Sequence, residues 1–209
     1  MARPPLSRDA IFRAGLDLVD REGIDALTMR RLARALGVAP MSIYTHVPKK
    51  EDLVVGVVNE ATTKMVLPPP ETPPWDAMRA VIREFRRVAH LHPNLVPLIT
   101  RQPPTGVDSL RILESALDAL RRAGLDPAAT ARAYRISSSF AIGFVSLESG
   151  GYFRPLEDGG GSRRLDLESL QGMPRLMEVA PHLATWDSDA EFESGMDVMI
   201  DAIRRSFGV

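Results

Sequence analysis

The stretch from Thr28 to Lys50, TMRRLARALGVAPMSIYTHVPKK, constrains the fold most strongly, because it predicts two short helices joined by a glycine turn. Thr28 is placed to cap the first helix, and Gly37 follows its last apolar residue, where a positive φ costs glycine nothing. Pro40 suits a first helical position, and Pro48 ends the second helix. These features are typical of a helix-turn-helix.

The side chains of this stretch divide into a packing set and an exposed set. Ala33 is the small residue where the two helices cross, and Ile43 is the apolar residue that fixes the second helix. An ordinary helical hairpin is the alternative interpretation. The residues not needed for packing suit phosphates and base edges, which favours DNA binding; they are Met41, Ser42, Tyr44, Thr45, His46, Lys49 and Lys50.

The segments on either side complete an N-terminal unit. Ser7 is expected to cap a first helix that runs to about Arg21, and Leu53 opens an apolar stripe that predicts a fourth helix to about Val66. The following LPPPETPP segment has five prolines in eight positions and cannot be helical. We therefore expect a domain at residues 1–66 and another at 67–209.

The second unit shows helical spacing and no strand-like alternation, so the chain is predicted to be all-α. Asp126 followed by Pro127 is expected to cap and begin its long helix, and Ser188 with Glu191 is expected to form the capping box of its last helix. The glycine-rich stretch 149–166 predicts a loop. The predicted helices are Trp75 to Leu91, Pro93 to about Arg101, Val107 to Ala123, residues 126–148, Leu167 to Val179 and residues 188–207.

Charge and composition further limit the classes of function that the chain can have. The net charge is −1, but residues 1–50 carry nine Lys or Arg against five Asp or Glu, so the basic excess lies on the helix-turn-helix. A solvated charged face would explain this asymmetry equally well. The absence of cysteine excludes thiolate nucleophiles and Cys-ligated zinc. The sequence shows no membrane span or signal peptide, which predicts a cytoplasmic protein.

The first 65 or so residues resemble the DNA-binding domain of the tetracycline-repressor (TetR) family of bacterial transcription regulators. The resemblance lies in GIDALTMRRLARALGVAPMSIYTHVPKKEDLV, most specifically in IYTHVPKKEDL. It implies that Tyr44, Lys50 and the Thr28 end of the first motif helix contact phosphates. The tetracycline-binding members differ at Pro40 and Thr45, so their operator is not expected here. The positions implied to reach bases or adjacent phosphates are Arg30, Pro40, Met41, Ser42, Thr45 and His46.

The C-terminal part resembles the regulatory domain of the tetracycline-repressor branch through PWDAMRAVIREFRRVAHLHPNLVPLI and SSFAIGFVSLE. The resemblance implies an apolar cavity for a small-molecule effector and a homodimer formed by helices 126–148 and 188–207. The alternative is that both helices are buried within one subunit. Core packing is the alternative for the residues that we expect to line the cavity, which are Phe85, Arg101, Ile112, Ala116, Ser139, Phe140 and Phe144.

Metal, cofactor and catalytic sites are not expected. Pro97 lies where the magnesium-tetracycline binders have a metal-ligating histidine, and His90 and His92 point to different helix faces. No G-x-S-x-G, H-E-x-x-H or phosphate-binding glycine loop is present.

The sequence thus predicts a homodimeric repressor that binds palindromic operator DNA and is released by an effector. An effector-independent architectural DNA-binding protein and, less favoured, an enzyme are the alternatives.

Overall fold

The computed structural model describes residues 6–99, 105–152, 172–183 and 185–209. Within these residues there are ten α-helices, two short 3-10 turns and no strand, so the all-α prediction is confirmed. The helices are α1 (Arg8–Glu22), α2 (Met29–Leu36), α3 (Pro40–His46), α4 (Lys50–Thr62), α5 (Pro74–Leu91), α6 (Val96–Ile99), α7 (Val107–Arg122), α8 (Pro127–Ser149), α9 (Pro174–Leu183) and α10 (Ser188–Phe207).

Side-chain caps begin α1 and α8 where the sequence predicted them. The Ser7 hydroxyl accepts a hydrogen bond from the Ala10 amide at the start of α1, at 3.2 Å. At the start of α8 the Asp126 carboxylate accepts one from the Ala129 amide, at 2.7 Å, and Pro127 occupies the first helical position. Each cap satisfies an amide that has no partner inside its helix, which fixes the start of the helix.

The fourth helix ends at Thr62, four residues before the predicted end at Val66. The Thr62 and Thr63 hydroxyls donate to backbone carbonyls three residues earlier, at 3.0 and 2.8 Å. The Val66 amide donates to the Glu84 carboxylate of α5, at 2.8 Å, so it makes no helical hydrogen bond. Local hydroxyl bonds and this tertiary contact replace the last turn of the predicted helix.

Two other helix starts differ from prediction. The cap of α10 is Asp187, whose carboxylate accepts from the Asp189 and Ala190 amides, so the predicted capping box of Ser188 and Glu191 is wrong. The Ser188 hydroxyl instead bonds to the Glu148 carboxylate. Helix α9 begins at Pro174 and extends to Leu183, past the predicted end at Val179. Residues 167–171, and 153–166 of the predicted loop, lie outside the described residues.

The buried side chains that the structure describes form two large apolar clusters. One joins α1, α2, α3 and α4 and also includes Val88, Leu95 and Leu98 from beyond the proline-rich segment. The other joins α5, α7, α8 and α10. Helix α5 contributes to both clusters, so it connects the helix-turn-helix with the C-terminal helices. The division into domains 1–66 and 67–209 stays a prediction.

A charged network ties α5, α8 and α10 together around Glu148. Arg86 donates two hydrogen bonds to the Glu148 carboxylate, at 2.6 and 3.1 Å, and His90 lies 2.8 Å from it. Burial disfavours the ionised carboxylate, but hydrogen bonds from Arg86, Ser188 and His90 outweigh that cost and lower the pKa of Glu148 to about 2. The network therefore stabilises the fold only while Glu148 is ionised.

This pKa predicts a loss of stability in acid. The ordinary pKa of the group is 4.5, so the stabilisation by Glu148 is complete above pH 4.5 and is lost as the pH falls from there to about 2. We expect the loss to reach about 3 kcal/mol. Urea unfolding between pH 6 and pH 2 measures it. The Glu148→Gln variant should be less stable at pH 6 and should lose less stability over this window, and parallel curves would contradict the prediction.

Candidate nucleic-acid interface and ligand cavity

Helices α2 and α3 form the predicted helix-turn-helix. Ala33 is 1% exposed where the helices approach, and Ile43 of α3 is fully buried beneath them. Gly37 has φ 62° and ψ 41°, a left-handed conformation that strains other residues. The Val38 amide donates to the Ala33 carbonyl at 3.0 Å and closes the turn. The angle between the helices is thus fixed by one small residue, one glycine and one buried isoleucine.

The outer face of α3 presents the side chains that the sequence predicted to contact DNA. Met41 is 73% exposed and Tyr44 is 42% exposed, so both side chains are accessible to a partner. Pro40 and Thr45 are also exposed, whereas Ser42 and His46 are half-buried. All six lie on one helix of two turns, where Ser42 and His46 flank the buried Ile43 and the other four are exposed, and a single helix of this kind fits a major groove.

Local hydrogen bonds limit what two of the predicted residues can offer. The Thr45 hydroxyl donates to the Met41 carbonyl at 3.1 Å, which leaves its methyl group and its oxygen lone pairs outward. The Thr28 hydroxyl accepts from the Arg31 amide at 3.2 Å as the cap of α2, and its own proton stays available. Thr45 is therefore suited to apolar or acceptor contacts, and Thr28 to donating to a phosphate.

Cations flank this surface. Arg30, Lys49 and Lys50 are exposed, and none of them forms an ion pair with another described residue. Arg31 differs, because it pairs with Glu22 of α1. An unpaired cation loses no protein partner when it binds a phosphate, so these three are better placed than Arg31 to contact a DNA backbone.

A cavity of about 180 Å³ lies between α4, α5, α7 and α8. Apolar side chains of α5 form one wall, and Phe85, Ile112 and Ala116 of the predicted set lie along the cavity. Three other predicted residues lie elsewhere: Ser139 is exposed, while Phe140 and Phe144 pack on α10 through Phe192, with ring centroids at 5.7 and 5.1 Å. Arg101 lies outside the described residues.

The helical repeat explains this placement. The cavity face of α8 carries Tyr134, Ser137, Ser138 and Ala141, which recur at three- and four-residue steps. Phe140 and Phe144 lie on the neighbouring face, towards α10. Prediction from the sequence did not identify the polar residues that line the cavity, because single serines and an asparagine in helices have no distinctive sequence signal. The polar residues along the cavity are Asn59, Thr62, Thr105, Ser109, Tyr134, Ser137 and Ser138.

Helix α4 contacts both the cavity and the helix-turn-helix unit. Val55, Val58 and Asn59 line the cavity on one face. On an adjoining face α4 packs on α1 so closely that a Cβ atom at Gly56 would overlap the Phe12 ring. Helix α4 therefore links the cavity wall to α1, which in turn packs on α2.

The histidines at the C-terminal end of α5 have carboxylate partners. His90 contacts Glu148, and His92 Nδ1 lies 2.8 Å from the Asp20 carboxylate of α1. Among the described residues no group of three or more His, Asp or Glu side chains is arranged to hold a metal ion. None of the described helices combines the length and apolarity that crossing a membrane requires.

Comparison with known proteins agrees with this architecture. Residues 11–57 match the family described as bacterial regulatory proteins, tetR family, and residues 67–207 match the tetracyclin repressor-like C-terminal domain. An HTH-type transcriptional regulator of Saccharopolyspora erythraea is 34% identical over 70% of the chain and 63% of its own length. The tetracycline repressor protein class A from transposon 1721 of Escherichia coli is 26% identical over 96% of the chain and 91% of its own length.

Solved structures show the same fold. Apo ActR from Streptomyces coelicolor superposes with a TM-score of 0.83 at 27% identity, covering 99% of both chains. ActR in complex with actinorhodin superposes with a TM-score of 0.82 at 26% identity, again covering 99% of both. The chain spans only about half to two thirds of the length of several of its curated relatives, with 63%, 47% and 52% covered in three regulators.

Proposed function

Because the chain belongs to the tetR family of bacterial regulatory proteins, we propose that it is a ligand-responsive transcriptional repressor acting in the cytoplasm. One observation carries the proposal: α4 lines the cavity with one face and packs on α1 with an adjoining face. A small molecule in the cavity therefore contacts the helix that positions the DNA-reading unit. This arrangement supports a regulator rather than an effector-independent architectural protein.

The surface of α3 is proposed to enter the major groove of operator DNA. Ser42 and Thr45, with small polar side chains, would reach bases or adjacent phosphates, as would Pro40, Met41 and His46. Tyr44, Lys50 and Thr28 would contact phosphates, and Arg30 would reach a base or an adjacent phosphate. The support is the exposure of α3 and the unpaired cations beside it.

We propose a homodimer through residues 126–148 and 188–207, as the family resemblance implies. Each of these helices has exposed apolar side chains: Ile136 and Leu147 on α8 are 47% and 39% exposed, and Val198 on α10 is 65% exposed. A second copy related by a two-fold axis would remove them from water. Such a dimer places two α3 helices on a palindromic site at a spacing set by the DNA repeat.

The effector is proposed to bind in the cavity between α4, α5, α7 and α8. ActR, which has the same fold and 26% identity to this chain, has been solved in complex with actinorhodin, and this supports a small organic effector here. Release from DNA requires that the effector bind better to the conformation in which the two α3 helices no longer fit the operator. Displacement of α4 is the proposed origin of that difference.

Substitutions on α3 and beside it test the DNA-binding surface. We expect Lys50→Ala to weaken binding to every duplex alike and to reduce the dependence of log K on log salt by about one phosphate contact, whereas Thr45→Ala should change the order of preferred sequences. Fluorescence anisotropy on DNA flanking the gene and on scrambled duplex, at two salt concentrations, measures both effects.

Lys64→Ala is the matched control, because it removes the same charge from an exposed position beyond the end of α4. It should leave the affinity and the salt dependence unchanged. Equal losses for Lys50→Ala and Lys64→Ala would show that only net charge matters, and equal losses on all sequences for Thr45→Ala would show that α3 does not read bases.

A further inference from the structure

We propose that the effector is a neutral, compact ring compound with a carbonyl-type hydrogen-bond acceptor, and that the Asn59 side-chain amide is the group that recognises the acceptor. This inference deepens the proposed function and rests on it, because it concerns the same cavity. Three properties of the cavity carry it: the lack of charge on its described lining, the geometry of Asn59 and its size.

No charged side chain is present among the described residues that line the cavity. An ionised ligand would lose its hydration there and find no opposite charge on these walls, which is a large cost. The apolar side chains of α5, among them Met78, Val81 and Ile82, favour a hydrophobic body. A neutral molecule with a mainly apolar surface fits these walls.

Asn59 is held in place by α7. The Ser109 hydroxyl donates to Asn59 Oδ1 at 2.7 Å, which uses the acceptor end of the carboxamide. The N-terminal end of α7 approaches so closely that a Cβ atom at Gly106 would overlap this carboxamide. Asn59 Nδ2 packs against Gly106 and makes no hydrogen bond with any described residue, so its protons have no partner there and can serve an acceptor of the ligand.

Tyr134 of α8 supplies a second donor along the same cavity. Burial raises the pKa of its phenol, so the hydroxyl keeps its proton at neutral pH. The hydroxyls of Thr62, Ser137 and Ser138 differ, because each donates its proton to a backbone carbonyl of its own helix. Besides the exposed Thr105 hydroxyl, the donors left for a ligand are therefore those of Asn59 and Tyr134, and such donors favour acceptor atoms on the ligand.

The volume of the cavity matches a small molecule. A cavity of about 150 Å³ lined by apolar side chains holds benzene, so about 180 Å³ accommodates one or two rings without rearrangement. A bicyclic ketone fits this description. The hydrogen bond to its oxygen would fix Asn59 between the ligand and Ser109, which ties α4 to α7 when the effector is bound.

Three bicyclic probes separate the chemical requirements in the full-length protein. 1-Tetralone has the ketone, tetralin has the same rings without it, and 1-naphthoate carries a negative charge. We expect calorimetry to give an affinity for 1-tetralone about tenfold higher than for tetralin, and no measurable binding of 1-naphthoate, because one hydrogen bond is gained without burying a charge. The proposal is overturned if 1-tetralone and tetralin bind equally, if 1-naphthoate binds most tightly, or if none of the three probes binds.

The Asn59→Leu variant tests the assigned residue. It keeps the shape of the side chain but removes the donor, so it should bind tetralin as wild type does and lose the preference for 1-tetralone. A preference that persists in this variant contradicts the role of Asn59. The wild-type probe order decides the ligand class even if the variant does not fold. None of these titrations contains DNA, so a protein that fails to bind any operator refutes the proposed function and leaves this test intact.

Discussion

Replacing Ile43 with alanine is expected to destabilise the helix-turn-helix by about 2–5 kcal/mol, the usual cost of removing a large buried aliphatic side chain. Ile43 is fully buried in the cluster that contains Leu32 and Val47, so the lost methyl groups leave a cavity beneath α3. The same substitution should weaken binding to every duplex, although Ile43 cannot touch DNA, because α3 is no longer held at its angle to α2.

Chemical denaturation and anisotropy measure the two effects of Ile43→Ala. Met41→Ala is the matched control, because Met41 lies on the same helix and is 73% exposed. It should leave the free energy of unfolding within about 0.5 kcal/mol of wild type. If Met41→Ala proved as destabilising as Ile43→Ala, the packed face of α3 would be misassigned.

Replacing Phe192 with alanine should cost about 3–5 kcal/mol and lower the melting temperature by about 10 °C. Phe192 is fully buried, and the Arg86 guanidinium lies over its ring at 4.6 Å from the centroid. It also contacts the rings of Phe140 and Phe144. The substitution therefore opens a cavity and removes aromatic and cation–π contacts at once.

Calorimetric melting checks this effect of Phe192→Ala. The Val107→Ala control removes an apolar side chain that is 75% exposed and should change the melting temperature by no more than about 2 °C. An equal effect of both substitutions would mean that burying Phe192 in the aromatic cluster contributes nothing to stability. Phe192→Leu should recover part of the loss, because it restores volume without the ring.

The sequence alone was sufficient to predict the fold class and the local geometry of the helix-turn-helix. Ser7, Thr28 and Asp126 cap their helices as expected, and Gly37 takes the left-handed turn. These features depend on residues at most four positions apart, so a linear pattern contains the whole interaction. The residue types on the outer face of α3 were likewise predictable, because Ile43 alone of that helix is buried.

Helix ends were less predictable where a distant partner competes with a local one. Ser188 appears in the sequence as a cap with Glu191, but it bonds to Glu148, forty residues away. Val66 would continue α4, but its amide bonds to Glu84 of α5. A local sequence pattern does not predict the end of a helix when a side chain or an amide bonds to a tertiary partner that is distant in the sequence.

The cavity was decided by tertiary structure. Ser109 and Asn59 are fifty residues apart and meet only because α7 crosses α4, and no sequence pattern marks either residue as polar lining. Which serine of α8 faces the cavity depends on the rotation of the helix: Ser137 and Ser138 line it, while Ser139 is exposed. The sequence by itself thus determined the helices and the capped starts that short-range periodicity encodes. Only the packing of separate helices decided which polar groups are available to a ligand, because that packing is the sum of many weak contacts between distant residues.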